Sequence, residues 1–446
     1  MRKRIALLCV VATVAAAGAA RAQDPAPRDT VEVLPPDHPL RPQPPPRPDI
    51  GVGEHIGHGI ARVLRLPFEY VGTALEGTLI PIEESRGGFA AGLSATTAGP
   101  TKRGHISYTG GSLGTRSGIL GGGIKVRVLP DPVGPQLGFS AAVTNRGYQE
   151  YTAWVGWNDA EEHPYARVTG YYDLDSMDEF WGLGPDSDPD NEVSFSWEKY
   201  GGVAAIGIPE GRIVWGSAYV SYERTSVFRG REVNVTDLVD AFPDLVFSDL
   251  ELWGPGATLA LDLRDDPGYP KKGVLLQGTG ELWRSINSDD VEWFRYAAEA
   301  AAHIPLGSDW HILSAKAGFD AVEPEGSSDF IPFAYLPTIG GSQTLRGFAS
   351  WRWRDRAVAY GTAELRWRIW LEHTPDPESA GALEVAIFYD VGQVAPRLED
   401  IEFDKDRKTA YGLLARFYLL AEHVMTFGVG RSEEEMRFVF TLNNSW

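Results

Sequence analysis

The chain has one cysteine in 446 residues, Cys9, so a disulfide framework is excluded and stability must come from packing and hydrogen bonding. Positive charge is also short. Against 61 Asp and Glu there are 41 Lys and Arg, and the formal charge is -20. A nucleic-acid binder needs a basic face to displace counterions, so no nucleic-acid partner is expected. Beyond the N-terminus no apolar run approaches the length of a spanning helix, which excludes a helical membrane bundle. It does not exclude a membrane β-barrel, whose strands alternate polar and apolar and so average out in hydropathy. What is abundant is glycine (50), tryptophan (14) and tyrosine (17), a bias towards an all-β chain.

Residues 1–22 read as a cleaved signal peptide. Arg2, Lys3 and Arg4 precede an apolar stretch from Ile5 to about Ala17, and Ala20-Arg21-Ala22 is a small-x-small cleavage site. Losing those three charges and Arg21 takes the formal charge from -20 to -24. Residues 23–53 are a proline-rich linker, with Pro35-Pro36, Pro44-Pro45-Pro46 and Pro48 denying the backbone donors that a helix or sheet requires. Within 54–85, Ile56, Ile60, Val63 and Leu64 recur at helical spacing. Pro67 then breaks the run and opens a second short turn, so this stretch is predicted to be a short helical segment. Pro67 and Glu69 make it too broken to span a membrane.

Residues 86–446 carry period-two alternation. Leu259, Leu261 and Leu263 interleave with Thr258, Asp262 and Arg264; Leu365, Trp367 and Ile369 interleave with Glu364, Arg366 and Arg368. A soluble sandwich gives the same pattern. Three features favour a membrane barrel: segments of about 10 residues, turns that alternate between short (209–211, 306–307) and long (174–191, 223–253, 321–357), and aromatics near strand ends. Counting from the C-terminus gives a 16-stranded antiparallel transmembrane β-barrel between 104 and 443. The segment 88–97 is also strand-like, either as a first strand or inside the barrel.

Four motifs follow one another along this region: Phe180-Trp181-Gly182-Leu183-Gly184-Pro185-Asp186; Leu263-Arg264-Asp265-Asp266-Pro267 with Pro270-Lys271-Lys272-Gly273; Gly340-Gly341-Ser342-Gln343-Thr344-Leu345-Arg346-Gly347-Phe348; and Phe388-Tyr389-Asp390-Val391-Gly392. In this order, with five strands after the long loop, the chain resembles the BamA/TamA (bacterial surface antigen) family of outer-membrane insertases and translocators. The resemblance implies a place in the bacterial outer membrane and a role in assembling or translocating protein, or lipid, there. It implies partners of three kinds: outer-membrane lipid, the assembly machinery that inserts the barrel itself, and a client or periplasmic partner protein. The stretch before the barrel is too short for the family's usual set of periplasmic polypeptide-transport domains, so a member lacking them is expected.

The residues support the central pair independently. Asp390 shares a strand face with Glu384, Ala386 and Phe388, which points it into the lumen. Arg346 lies in a long loop able to fold back inside, and its planar fork matches a carboxylate. The expected loop lock is therefore Arg346, Gly347, Phe348, Phe388 and Asp390, with Glu364 or Arg366 completing a charged network. The alternative is a solvated loop arginine. The chain ends Phe438-x-Phe440-x-Leu442-x-Asn444-x-Trp446. A final aromatic on the lipid-facing register resembles the signal by which outer-membrane barrels are recognised for insertion.

Enzyme signals are weak. Gly110-Gly111-Ser112-Leu113-Gly114 fits the nucleophile-elbow pattern but lacks the strand–turn–helix context. His55 and His58 sit one turn apart beside glycines, and the aspartates of 173–190 read as a solvated face. No catalytic group, metal or cofactor is expected. The alternative function is a passive pore or a structural, lipid-interacting barrel without insertase activity.

Overall fold

The computed structural model describes 77–79, 93–95, 104–110, 121–128 and, with short breaks, 135–442. Residues 1–22, 23–53, most of 54–85 and Trp446 lie outside the described residues. Among the described residues sixteen antiparallel strands make up the barrel sheet, with the two-residue strand Thr236–Asp237 added in parallel beside Val193–Ser194. The first eight are β1 (Gly104–Gly110), β2 (Gly121–Val128), β3 (Pro135–Thr144), β4 (Gln149–Trp157), β5 (Tyr165–Phe180), β6 (Val193–Ile208), β7 (Val214–Arg229) and β8 (Phe247–Asp262). The second eight are β9 (Gly273–Ser285), β10 (Glu292–Pro305), β11 (His311–Pro324), β12 (Ala357–Leu371), β13 (Gly381–Ala395), β14 (Lys408–Leu419), β15 (Glu422–Arg431) and β16 (Met436–Leu442). Each pairs with the next in sequence, from β1 with β2 through to β15 with β16.

Exposure along the strands runs opposite to that of a soluble sheet. Leu137, Val155, Val168, Ile206, Val220, Ile369, Ile387, Leu413 and Phe438 are exposed, while Glu364, Arg366, Glu384 and Asp390 are buried. An apolar outer face over a charged interior is stable only where the outer face meets lipid. This decides between the sandwich and the barrel. Among the described residues no helix is long and apolar enough to cross a membrane.

Two expectations need correction. Part of the segment predicted to be helical, Gly77–Leu79, is a strand paired antiparallel with Leu93–Ala95. β-Branched Thr78 favours an extended backbone, and Pro81 bars helical continuation just beyond. The second concerns loop boundaries. The sequence pattern places loops at 174–191 and 223–253, yet β5 and β7 run on to Phe180 and Arg229, and β8 begins at Phe247. Sixteen residues at about 3.3 Å each, tilted by roughly 40°, rise about 40 Å against an apolar band of about 25 Å, so the strands extend beyond the membrane. Their outer halves were illegible because the polarity changes sense there: Phe195, Val227, Leu250 and Leu252 turn inward, each 0 % exposed.

Those inward residues build an apolar cap over the long-loop end of the barrel. It takes in Phe180, Val193, Trp197, Trp293 and Val322 from the walls, and Phe330, Ile331, Phe333 and Leu336 from the long loop. Phe333 packs between Phe180 and Phe195 at ring distances of 5.1 and 5.2 Å. A short helix, Leu238–Ala241, covers one edge, with Asp237 Oδ1 accepting from the Val239 amide to cap it.

Candidate functional site: a loop bonded to the inner wall

The long loop between β11 and β12 folds into the lumen. Thr338–Ile339 pairs with Trp353–Arg354, which closes the neck of the loop. Gly340 at that neck has φ +123°, and a Cβ there would lie 2.3 Å from the Ala349 carbonyl, so only glycine permits the closure. The tip, Leu345 to Phe348, reaches strands β12 to β15.

Arg346 is 5 % exposed. Its Nε donates to Asp390 Oδ2 at 2.9 Å and its Nη2 to Asp390 Oδ1 at 2.5 Å, a bidentate pair. Its backbone amide donates to the same carboxylate at 3.0 Å. Nη1 donates to Glu364, and Nη2 also donates to Thr362 Oγ1 at 2.6 Å. The Phe388 ring lies 3.8 Å from the guanidinium centre, a cation–π contact shielded from water. Glu364 also accepts from Arg366 Nε at 2.8 Å and from Arg416 Nη2 at 2.8 Å, and Arg416 Nη1 reaches Glu384 at 3.2 Å. Three cations (Arg346, Arg366, Arg416) thus face three anions (Asp390, Glu364, Glu384), an arrangement tolerable in burial because every charge has an opposite.

Both Glu364 and Arg366, expected as alternatives, are in this network. Gly347 packs on the end of β15, where a Cβ would lie 2.7 Å from the Arg431 carbonyl carbon. Phe348 sits apart from the Arg346–Asp390 pair, edge-on to Trp353 at 6.0 Å in a cluster with Ile339, Leu345, Val358 and Val394. The ring against the guanidinium is Phe388 instead. Thr362, Glu384 and Arg416 were not singled out as site residues. The available signal for Arg416 was a charge on the inward register of a spanning strand, rare unless it is paired.

The other two motifs lie above and below. The Gly184 amide in the first motif donates to Arg354 O at 2.9 Å, joining it to the neck of the loop. In the turn 263–272, at the short-turn end of the barrel, Asp265 accepts from the Lys271 and Lys272 amides, and Asp266 from those of Gly268 and Tyr269. The turn swings Tyr269 under the barrel, where it stacks on Tyr418 at 3.8 Å and accepts from Arg368. At the C-terminus, Phe438 is 89 % exposed on the outer face, whereas Val439 and Thr441 face inward. Phe440 and Leu442 hold the same register as Phe438, opposite Phe427 and Met425. Among the described residues no cluster of three metal-ligating side chains occurs.

Fold and loop together define a class: an outer-membrane β-barrel whose largest surface loop is bonded to its inner wall. The Omp85 superfamily domain matches residues 140–431, so the chain belongs to the Omp85 superfamily. Among solved structures it is similar to BamA from Haemophilus ducreyi lacking POTRA domains 1–3, at 13 % identity and TM-score 0.56, covering 84 % of this chain and 76 % of that one. CdiB from Escherichia coli aligns at 11 % identity and TM-score 0.49, covering 78 % of this chain and 66 % of that one. A search of curated proteins returns no match.

Proposed function

We propose that this protein assembles or translocates other proteins at the bacterial outer membrane, reached through a cleaved signal peptide at 1–22. The observation that carries the reading is the six-charge network around Arg346. It binds a loop across three strands, β12 to β14, at a desolvation cost that a passive pore has no need to meet. Family membership and the barrel fold support it. The loop lock of Arg346, Gly347, Phe388 and Asp390, with Phe348 anchoring the adjoining cluster, holds the inner wall rigid while strands near the chain ends exchange pairing with a client. A client strand would add by backbone hydrogen bonding to a sheet edge, an edge that must be short-lived because lipid cannot satisfy its polar groups. The partners are outer-membrane lipid, a client or periplasmic protein, and the machinery that reads Phe438, Phe440, Leu442 and Trp446 to insert this barrel. No bond-making chemistry or cofactor is assigned.

Depleting the protein and quantifying the outer-membrane proteome tests the reading. Loss of particular barrel or secreted proteins is expected; an unchanged proteome would replace it with the structural, lipid-interacting barrel.

A further inference from the structure

A second arginine of the same loop, Arg352, makes contacts unlike those of Arg346. Its side chain is 1 % exposed. Nε and Nη2 donate to the two carboxylate oxygens of Glu434 at 3.0 and 2.7 Å. Nη1 donates to Ser187 Oγ at 2.9 Å, and Nη2 also donates to Ser187 O at 2.7 Å. The guanidinium lies 4.0 Å from the Trp353 ring and 5.5 Å from that of Trp181. One side chain therefore joins three segments distant in sequence: the surface loop after β5, the internal loop, and the turn between β15 and β16.

Two further features make this a constructed junction. Trp351, just before it, has φ +54°, a left-handed backbone that a bulky side chain adopts only under constraint from its surroundings. The turn that carries Glu434 is also held from the other side, where Ser432 Oγ donates to the Gly347 carbonyl at 2.8 Å. The internal loop thus grips the last hairpin at two points, Gly347 to Ser432 and Arg352 to Glu434.

We infer that Arg352 is a positioning residue that ties the seating of the internal loop to the order of the C-terminal hairpin. When the loop is seated, the β15–β16 turn is fixed; when the Arg352–Glu434 pair parts, the last strand is free to fray from its outer end. The wall-side network at Arg346 has no such reach, since its carboxylates lie on β12 and β13. The inference rests on the proposed assembly role for its purpose, because fraying of the last strand is what would admit a client, but the contact itself can be tested without any client.

The test is amide hydrogen exchange on the full chain in lipid nanodiscs, comparing wild type with Arg352→Gln, Glu434→Gln and the double variant. Exchange in peptides covering 431–442 should quicken about tenfold in each single variant, the equivalent of about 1.4 kcal/mol. The double variant should be no faster than the singles, and peptides of β6 to β8 should stay at wild-type rates. Arg352→Lys, which keeps the charge but not the fork, should fall between. Unchanged exchange in 431–442, or an equal rise in every strand, would overturn the inference. The depletion experiment is independent of this one: a proteome effect with no hairpin effect removes Arg352 from the mechanism, and the converse leaves the coupling in a barrel with another use.

Discussion

Arg346 is over-determined. Besides the Asp390 pair it donates to Glu364 and Thr362, so the two ends of the pair are not equivalent. Removing one partner of a buried ion pair costs about 3–5 kcal/mol. Arg346→Ala strips a counter-charge from two carboxylates, whereas Asp390→Ala leaves Arg346 on Glu364. Arg346→Ala should therefore lower the temperature at which the folded barrel loses its compact migration in detergent gels by more than Asp390→Ala. The double variant should match Arg346→Ala alone; strictly additive losses would show that the two residues act separately. A pH effect comes from Asp355, beside the neck of the loop. Burial raises its carboxyl to about 6, against the Arg356 amide and charge, which lower it, and with Asp400, which raises it. The folded form thus holds a proton that the unfolded form, titrating near 3.9, has released. Stability falls as pH rises between about 4 and 6 and is level above. Asp355→Asn should slow exchange of the loop neck at pH 7, where up to about 3 kcal/mol is at stake, and leave it unchanged at pH 4. A variant that differs from wild type equally at both pH values would refute this.

At the level of elements, Gly347→Ala tests how closely the loop tip seats. The added methyl meets backbone of 431–432 at 2.7 to 2.8 Å, and such overpacking costs about 1–3 kcal/mol. The expected result is faster proteolysis within 340–350 on detergent-solubilised protein, with the strands intact; wild-type rates would mean that the tip sits looser than described. Much of this scale was legible beforehand. Period two placed sixteen strands, because lipid outside and charge inside impose one alternation on every wall segment. The inward sense of Asp390 and Glu364 followed from the same count. Strand extent above the membrane was not legible, since Val227, Leu250 and Leu252 trade lipid for a protein core and the rule changes midway. Arg416 and Thr362 escaped because neither belongs to a motif. They are selected by three-dimensional register, Glu384 opposite Arg416 and Thr362 opposite Asp390, which a linear pattern does not contain. Phe348 follows Arg346 by two residues and belongs to the same motif, yet the loop turns at Gly347 and sends its ring to Trp353.

For the whole molecule, the cap ranks with the barrel. Phe333 is 1 % exposed among aromatic rings from two walls, and truncating such a residue costs about 3–5 kcal/mol. Because cap and barrel wall bury separate cores, Phe333→Ala should make 325–340 cleavable by protease added to intact cells, while the purified barrel keeps its compact gel mobility. Loss of both together would show one cooperative unit. The cap has a consequence for the cell that carries it. Midway down the lumen, Glu364, Arg366, Glu384 and Asp390 are each at most 1 % exposed, and above them lies hydrocarbon-like packing. The wall of β12 and β13 thus offers a diffusing sugar, salt or antibiotic no water to follow past the loop tip, and raising the copy number is expected to leave osmotic balance and drug sensitivity where they were; a rise in drug uptake would show a water path elsewhere in the lumen.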